Sequence, residues 1–107
     1  MTYSLWIDDQ LDELPARKVP EGWLGAKSSS EAILIVKEKG PPEYMDLDHD
    51  LGGYDTIFGF LKWLREYHFE NPPYCKVHSH NPIGAENIKH FMRDWVRELK
   101  ATKGEPF

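Results

Sequence analysis

The sequence predicts an α/β fold in which helices pack on a four-stranded parallel sheet. Four short β-prone runs follow one another along the 107 residues, and segments with helical apolar spacing separate the second, third and fourth. Alternation of this kind is typical of a parallel sheet, and helical connections fit right-handed crossovers. The predicted strands are residues 3–7, 23–26, 44–47 and 74–77.

The helix boundaries follow from local signals. Ser28 is the predicted N-cap of the first helix because Glu31 stands at the capping-box spacing, and Gly40 ends this helix. The second helix is predicted from an apolar stripe that begins at Ile57. The third opens with Asn81 as N-cap, followed by proline at the first helical position. Residues 10–22 are polar and hold at most one helical turn, at 11–14.

Composition and charge limit the function. We expect a single domain over residues 1–101, with a tail at 102–107. The net charge of −5 predicts no extended nucleic-acid surface, so a phosphate would bind locally. Cys75 is the single cysteine, which excludes an internal disulfide and a cysteine-rich metal site. No stretch has the composition of a membrane span or a leader, so we expect a cytoplasmic protein without membrane contact.

Polar residues follow three of the predicted strands. The carboxyl ends of parallel strands share one edge, where open α/β sheets bind ligands. Carboxylate oxygens suit Mg²⁺ or Mn²⁺ in preference to Zn²⁺, although an imidazole ligand would make Zn²⁺ plausible. Alternatively, Asp9 caps the following turn and only Asp8 faces the edge. We therefore predict a divalent metal site at this edge, with the candidate ligands Asp8, Asp9, Asp48 and Asp50, and His49 or His78 as further ligands.

The start of the third helix predicts a phosphate site at Ser79, Asn81 and Gly84. The first turn of a helix offers unpaired N–H groups and the positive end of the helix dipole, and glycine permits close approach. A plain helix cap by Asn81 is compatible with this reading. Among the aromatic residues, Trp6 is expected to pack beneath a helix. Trp23 and Tyr54 are expected nearer the ligand edge, where they could stack on a base.

The chain resembles receiver domains in having an acidic pair after the first strand, an aspartate after the third and a hydroxyl residue after the fourth. It is more similar to the family of cyclic-phosphate processing receiver domains. The shared motifs are Leu5-Trp6-Ile7-Asp8-Asp9, Leu47-Asp48-His49-Asp50-Leu51-Gly52, Gly53-Tyr54-Asp55 and His78-Ser79-x-Asn81-Pro82-x-Gly84.

This resemblance implies a receiver-like (flavodoxin-like) three-layer fold. Two features depart from an ordinary receiver: the helix between the first two strands is reduced to a loop, and the fifth strand is missing. In receivers that fifth strand carries the lysine that contacts the acyl phosphate. Its absence argues against reversible phosphorylation of Asp48.

The family also implies processing of cyclic phosphates on nucleotides or RNA ends. We therefore expect a metal-assisted phosphoesterase whose partner is a cyclic nucleotide or an RNA 2′,3′-cyclic phosphate end. Opening the ring needs one proton removed from water and one given to the leaving oxygen, and imidazoles titrate near neutrality. The expected catalytic residues are Asp48, His49 and His78. Alternatively, His78 only hydrogen-bonds a neighbouring carboxylate and holds the edge together. A separate alternative is that the chain is a non-catalytic module that binds a nucleotide, a phosphate ligand or a protein partner.

Overall fold

The computed structural model describes residues 2–10, 19–52, 56–79 and 81–103. The predicted turn at 11–14, residues 53–55 and His80 lie outside them. The elements of the described part are β1 (Ser4–Ile7), β2 (Trp23–Ala26), α1 (Ser29–Lys39), β3 (Tyr44–Leu47), α2 (Ile57–Tyr67), β4 (Tyr74–Val77) and α3 (Pro82–Thr102).

The four strands form one parallel sheet in the order β2-β1-β3-β4. In the register, Ile7 lies opposite Ala26 and Leu47, and Leu47 lies opposite Val77. All four strands therefore end at the same level, so the residues that follow them meet at one edge. The receiver-like α/β fold with a four-stranded parallel sheet is confirmed.

The two faces of the sheet differ. Leu5 and Ile7 are fully buried in one core cluster that also contains residues of α1, α2 and α3, such as Val36, Phe60 and Ile88. Side chains alternate along a strand, so the residues between them point away from this core. We call the two sides the helix face and the open face. The three described helices all contribute to this one core, so the described part has two layers, a sheet and helices on one face.

Capping side chains set the helix starts as predicted. Ser28 Oγ accepts the Glu31 N–H at 3.1 Å, and Asn81 Oδ1 accepts the Gly84 N–H at 2.9 Å. Gly40 ends α1 with a φ of 82°, a left-handed conformation that favours glycine. The third helix continues to Thr102, one residue past the predicted domain boundary.

Contacts from the last turn of α2 and from the residues that follow it fix the middle of α3. Arg65 pairs with Asp94 at 3.1 Å and with Glu98 at 2.7 Å. The buried Trp95 indole donates from Nε1 to the Phe69 carbonyl at 2.7 Å. These contacts restrain the direction of α3, whose first turn packs beside the residues that follow β3.

Candidate functional site at the carboxyl edge of the sheet

His78 is held between two carboxylates on the open face. Its Nε2 lies 3.1 Å from Asp8 Oδ2, and its Nδ1 lies 2.7 Å from Asp46 Oδ1. The ring stacks on the Trp6 indole, with centroids 4.4 Å apart and planes inclined by 14°. Both nitrogens can donate at once only when the imidazole is doubly protonated. The orientation of the ring is therefore fixed by three contacts.

The sheet register brings these side chains together. Asp8, Asp48 and His78 are each the first residue after a strand, and their backbone N–H groups continue the ladders: Asp8 to the Ala26 carbonyl, Asp48 to Ile7, and His78 to Leu47. Being at the same level and of the same parity, they share the open face. Asp46 lies one step back along the same face of β3.

Asp8 is fully buried. Its Oδ1 accepts the Gln10 N–H at 2.9 Å, so Asp8 itself caps the turn after β1. A carboxylate withdrawn from water needs hydrogen bonds or a cation to remain ionised. One potential ligand atom each from Asp8, Asp48 and His78 lie within 4.8 Å of one another. Two carboxylate oxygens and one imidazole nitrogen can hold a divalent cation. We call Asp8, Asp46, Asp48 and His78 the Asp8 cluster.

Two of the four predicted carboxylate ligands belong to this possible metal-binding group, and the other two do not. Asp8 and Asp48 are members, together with His78. Asp9 Oδ2 lies beside Gly52, 3.5 Å from the position that a Cβ there would occupy. Asp50 is 64% exposed and contacts His49. Among the described residues, the possible metal-binding group thus has two of the four predicted carboxylates and adds the imidazole of His78.

His49 lies in a second arrangement, on the helix face. Its Nδ1 is 2.9 Å from Asp50 Oδ1, and the Phe58 ring of α2 meets the imidazole edge-on at 5.9 Å. A Cβ at Gly84 of α3 would lie only 2.5 Å from His49 Cγ. Glycine at this position therefore makes room for the ring. We call His49, Asp50, Phe58 and Gly84 the His49 cluster.

The predicted phosphate residues form a hydrogen-bonded loop between the two clusters. Ser79 Oγ accepts the Asn81 N–H at 3.0 Å, and Asn81 caps Gly84. The sequence predicted that Gly84 permits the close approach of a phosphate. In the structure it is the His49 ring that lies close to Gly84. The Ser79 hydroxyl hydrogen remains able to donate, since Oγ is the acceptor in this bond.

Sequence reasoning missed Asp46 and misplaced Trp23. The period-two alternation could have assigned Asp46 to the same face as Asp48. Trp6 lies against His78 on the open face, on the side of the sheet away from the three described helices, and its buried Nε1 has no hydrogen-bond partner within the described ranges. Trp23 begins β2, at the end of the sheet remote from the ligand edge, so its expected placement near that edge was wrong. Its indole meets Trp6 edge-on at 6.1 Å.

The charge of Asp46 also reaches the helix-face side of β4. Burial, reinforced by the negative charge of Asp46, raises the pKa of the Cys75 thiol to about 12. Burial likewise raises the pKa of Tyr3 to about 12, and its hydroxyl donates to the Gly40 carbonyl at 2.6 Å. Both groups are therefore neutral at physiological pH.

Fold and site together define a receiver-like α/β domain with an acidic, histidine-containing group at the carboxyl edge of its sheet. The family model described as the cyclic-phosphate processing receiver domain matches residues 3–94, a range that contains both clusters, and the chain belongs to this family. No curated protein and no solved structure gives a significant match. None of the helices in the described part has the length and apolar character required to cross a membrane.

Proposed function

We propose that the chain hydrolyses cyclic phosphates on nucleotides or RNA ends, with a divalent metal ion held by Asp8, Asp48 and His78. The observation that carries this proposal is the convergence of one potential ligand atom from each of these three residues within 4.8 Å, at the edge where parallel sheets bind ligands. The family description supplies the cyclic phosphate. A cation held by Asp8, Asp48 and His78 would compensate the negative charge of the phosphate.

The donor set fits Mn²⁺ better than Mg²⁺ or Zn²⁺. Two carboxylates are typical of hard cations, and one imidazole shifts the preference toward a transition ion. When bound, such an ion would polarise the phosphoryl oxygens as a Lewis acid. Asp46 accepts from His78 Nδ1, which leaves Nε2 directed toward Asp8 and the ion. A carboxylate that orients a ligating histidine in this way is a common partner in metal sites.

The two histidines then have different roles. If Nε2 of His78 serves as a ligand, that nitrogen cannot also exchange protons. His49 is then the better general acid or base. Its Nδ1 faces Asp50, so Nε2 is the nitrogen that exchanges a proton with water or with the leaving oxygen. In this scheme Ser79 donates its hydroxyl hydrogen to a phosphate oxygen, and Asn81 positions the loop.

The test is ³¹P NMR of the protein with 2′,3′- and 3′,5′-cyclic mononucleotides, first with Mn²⁺ and then with excess chelator. We expect conversion of the 2′,3′-cyclic substrate to a monoester that stops when the chelator is added. Asp48→Asn should eliminate it. His90→Gln, which alters an exposed histidine of α3, is the matched control and should retain it. An unchanged cyclic signal in all samples would refute the hydrolase.

A non-catalytic module is the second candidate, and one observation favours it. His78 follows β4 and contacts both Asp8, which follows β1, and Asp46 in β3, so holding these three strands together is a sufficient role for the imidazole. In that case the NMR signals would not convert. Mn²⁺ would also fail to raise the melting temperature, because a ligand stabilises only when it binds the folded state.

A further inference from the structure

Strand β4 is an edge of the sheet, and its outer side is unpaired within the described ranges. The strand order places it next to β3 alone. The N–H groups of Tyr74 and His78 donate inward to the carbonyls of Glu43 and Leu47. Backbone groups alternate in direction along a strand, so those of Cys75 and Val77 point outward. An exposed row of this kind is a template for another strand.

An apolar groove lies beside this edge. The cavity between β4 and α3 has a volume of about 590 Å³. Its apolar lining includes Cys75 and Val77 from the strand and Ile88, Met92 and Val96 from the helix. The outward-pointing backbone groups therefore belong to the same two residues whose side chains line the groove. A strand added here would gain hydrogen bonds and apolar burial together.

A basic stripe on α3 borders the groove. It consists of Lys89, Arg93, Arg97 and Lys100, which recur at helical spacing and all line the cavity. Only Lys89 has an ion pair in the part of the chain that the structure describes, with Glu86 at 3.7 Å. The stripe contrasts with the net charge of −5. Its sign selects a partner that carries negative charge.

We propose that β4 and this groove bind an extended, acidic segment of a partner protein as a fifth strand. Apolar side chains at alternate positions of the segment would enter the groove, and flanking Asp or Glu residues would pair with Arg93, Arg97 and Lys100. This is strand addition, in which main-chain bonds supply affinity and side-chain pockets supply specificity. A second copy of this chain is a poorer occupant, because pairing two β4 edges would bring two basic stripes to the same side.

The test uses a fluorescent nine-residue peptide, acetyl-EEVTITVEE-amide, with the matched acetyl-KKVTITVKK-amide, both measured by fluorescence anisotropy. We expect saturable binding of the acidic peptide and at least about tenfold weaker binding of the basic one. The double variant Arg93→Glu/Arg97→Glu should bind the acidic peptide about tenfold more weakly, or weaker still. Lys37→Glu, an exposed charge change on α1, is the control and should leave binding unchanged.

Hydrogen exchange distinguishes strand addition from attraction to the stripe alone. The bound acidic peptide should slow exchange of the Cys75 and Val77 amides, while those of Tyr74 and His78 change little because they are already bonded to β3. Failure of the acidic peptide to bind, equal binding of both peptides, or binding without protection of Cys75 and Val77 would overturn the proposal. Tight binding of a uridine oligonucleotide in place of the peptide would assign the stripe to RNA and would also overturn it.

Discussion

Two histidines follow neighbouring strands of this sheet, yet their surroundings differ. His78 stacks on an indole and contacts one fully buried and one largely buried carboxylate. His49 contacts one exposed carboxylate and is confined mainly by Phe58 and by the absence of a side chain at Gly84. His78 is thus held mainly by contacts with carboxylates, whereas His49 is held mainly by packing. Under the proposed function, this difference assigns His78 to the metal ion and His49 to proton exchange with solvent or substrate.

The largest expected effect separates these roles through His78→Gln. Under the proposed function, removing the imidazole takes away one metal ligand and the contact that joins Asp8 to Asp46, so turnover of a 2′,3′-cyclic nucleotide should fall at least about 100-fold. Circular dichroism should show an intact fold. The rate is measured by ³¹P NMR, beside His90→Gln as the matched control. Unchanged turnover in His78→Gln would remove His78 from the mechanism.

A second variant, Asp46→Asn, tests whether Asp46 orients His78. The amide keeps the size of the side chain but loses the charge opposite Nδ1. We expect the affinity for Mn²⁺ to fall by about 10- to 100-fold, with a matching loss of turnover at limiting metal. Isothermal titration with Mn²⁺ measures the affinity. Restoration of turnover by saturating Mn²⁺ would indicate a positioning role, and unchanged affinity would contradict it.

Gly84→Ala tests the steric confinement of His49. The new Cβ would lie 2.5 Å from the ring, so the ring must move, and overpacking of this kind costs about 1–3 kcal/mol. Turnover should fall if His49 transfers protons. Urea unfolding measures the stability change. In a His49→Ala background the same substitution should instead stabilise by up to about 1 kcal/mol, because alanine is the better helix former. Equal effects in both backgrounds would refute the contact.

The smallest expected effect concerns alkaline pH. The folded-state pKa of the Cys75 thiol, about 12, lies above its ordinary value of 9.0. The folded protein therefore binds more protons than the unfolded chain between these values, and stability should decline as pH rises from about 9 to 12. Tyr3 acts in the same direction from its ordinary value of 10.0.

The pKa of the Cys75 thiol also reports the effect of the Asp46 charge. Asp46→Asn should lower the pKa of Cys75 only in part, because burial is the larger cause of its elevation. The pH dependence of thiol alkylation measures this change. A pKa that stays the same in Asp46→Asn would show that the carboxylate does not act on the thiol.

The elements and their ends were largely predictable because their signals are local. Caps at Ser28 and Asn81 and the terminating Gly40 all appear where the sequence indicated them. The meeting of Asp8, Asp48 and His78 was also predictable, since parallel strands that end in register bring their following residues to one edge. The pairing of His78 with Asp46 could not be predicted, because it depends on the side-chain rotamers of two residues that belong to different strands.

Sequence by itself determined the strand and helix pattern, the parallel sheet and the meeting of Asp8, Asp48 and His78 at its carboxyl edge. Periodicity, capping and turn chemistry act over a few residues and can be read without knowledge of distant partners. Only the tertiary structure decided that His78 turns back onto Trp6, that Asp46 joins it, and that Gly84 makes room for His49. The physical reason is that these contacts join residues far apart in the chain, and close packing, rather than local preference, selects among the available side-chain orientations.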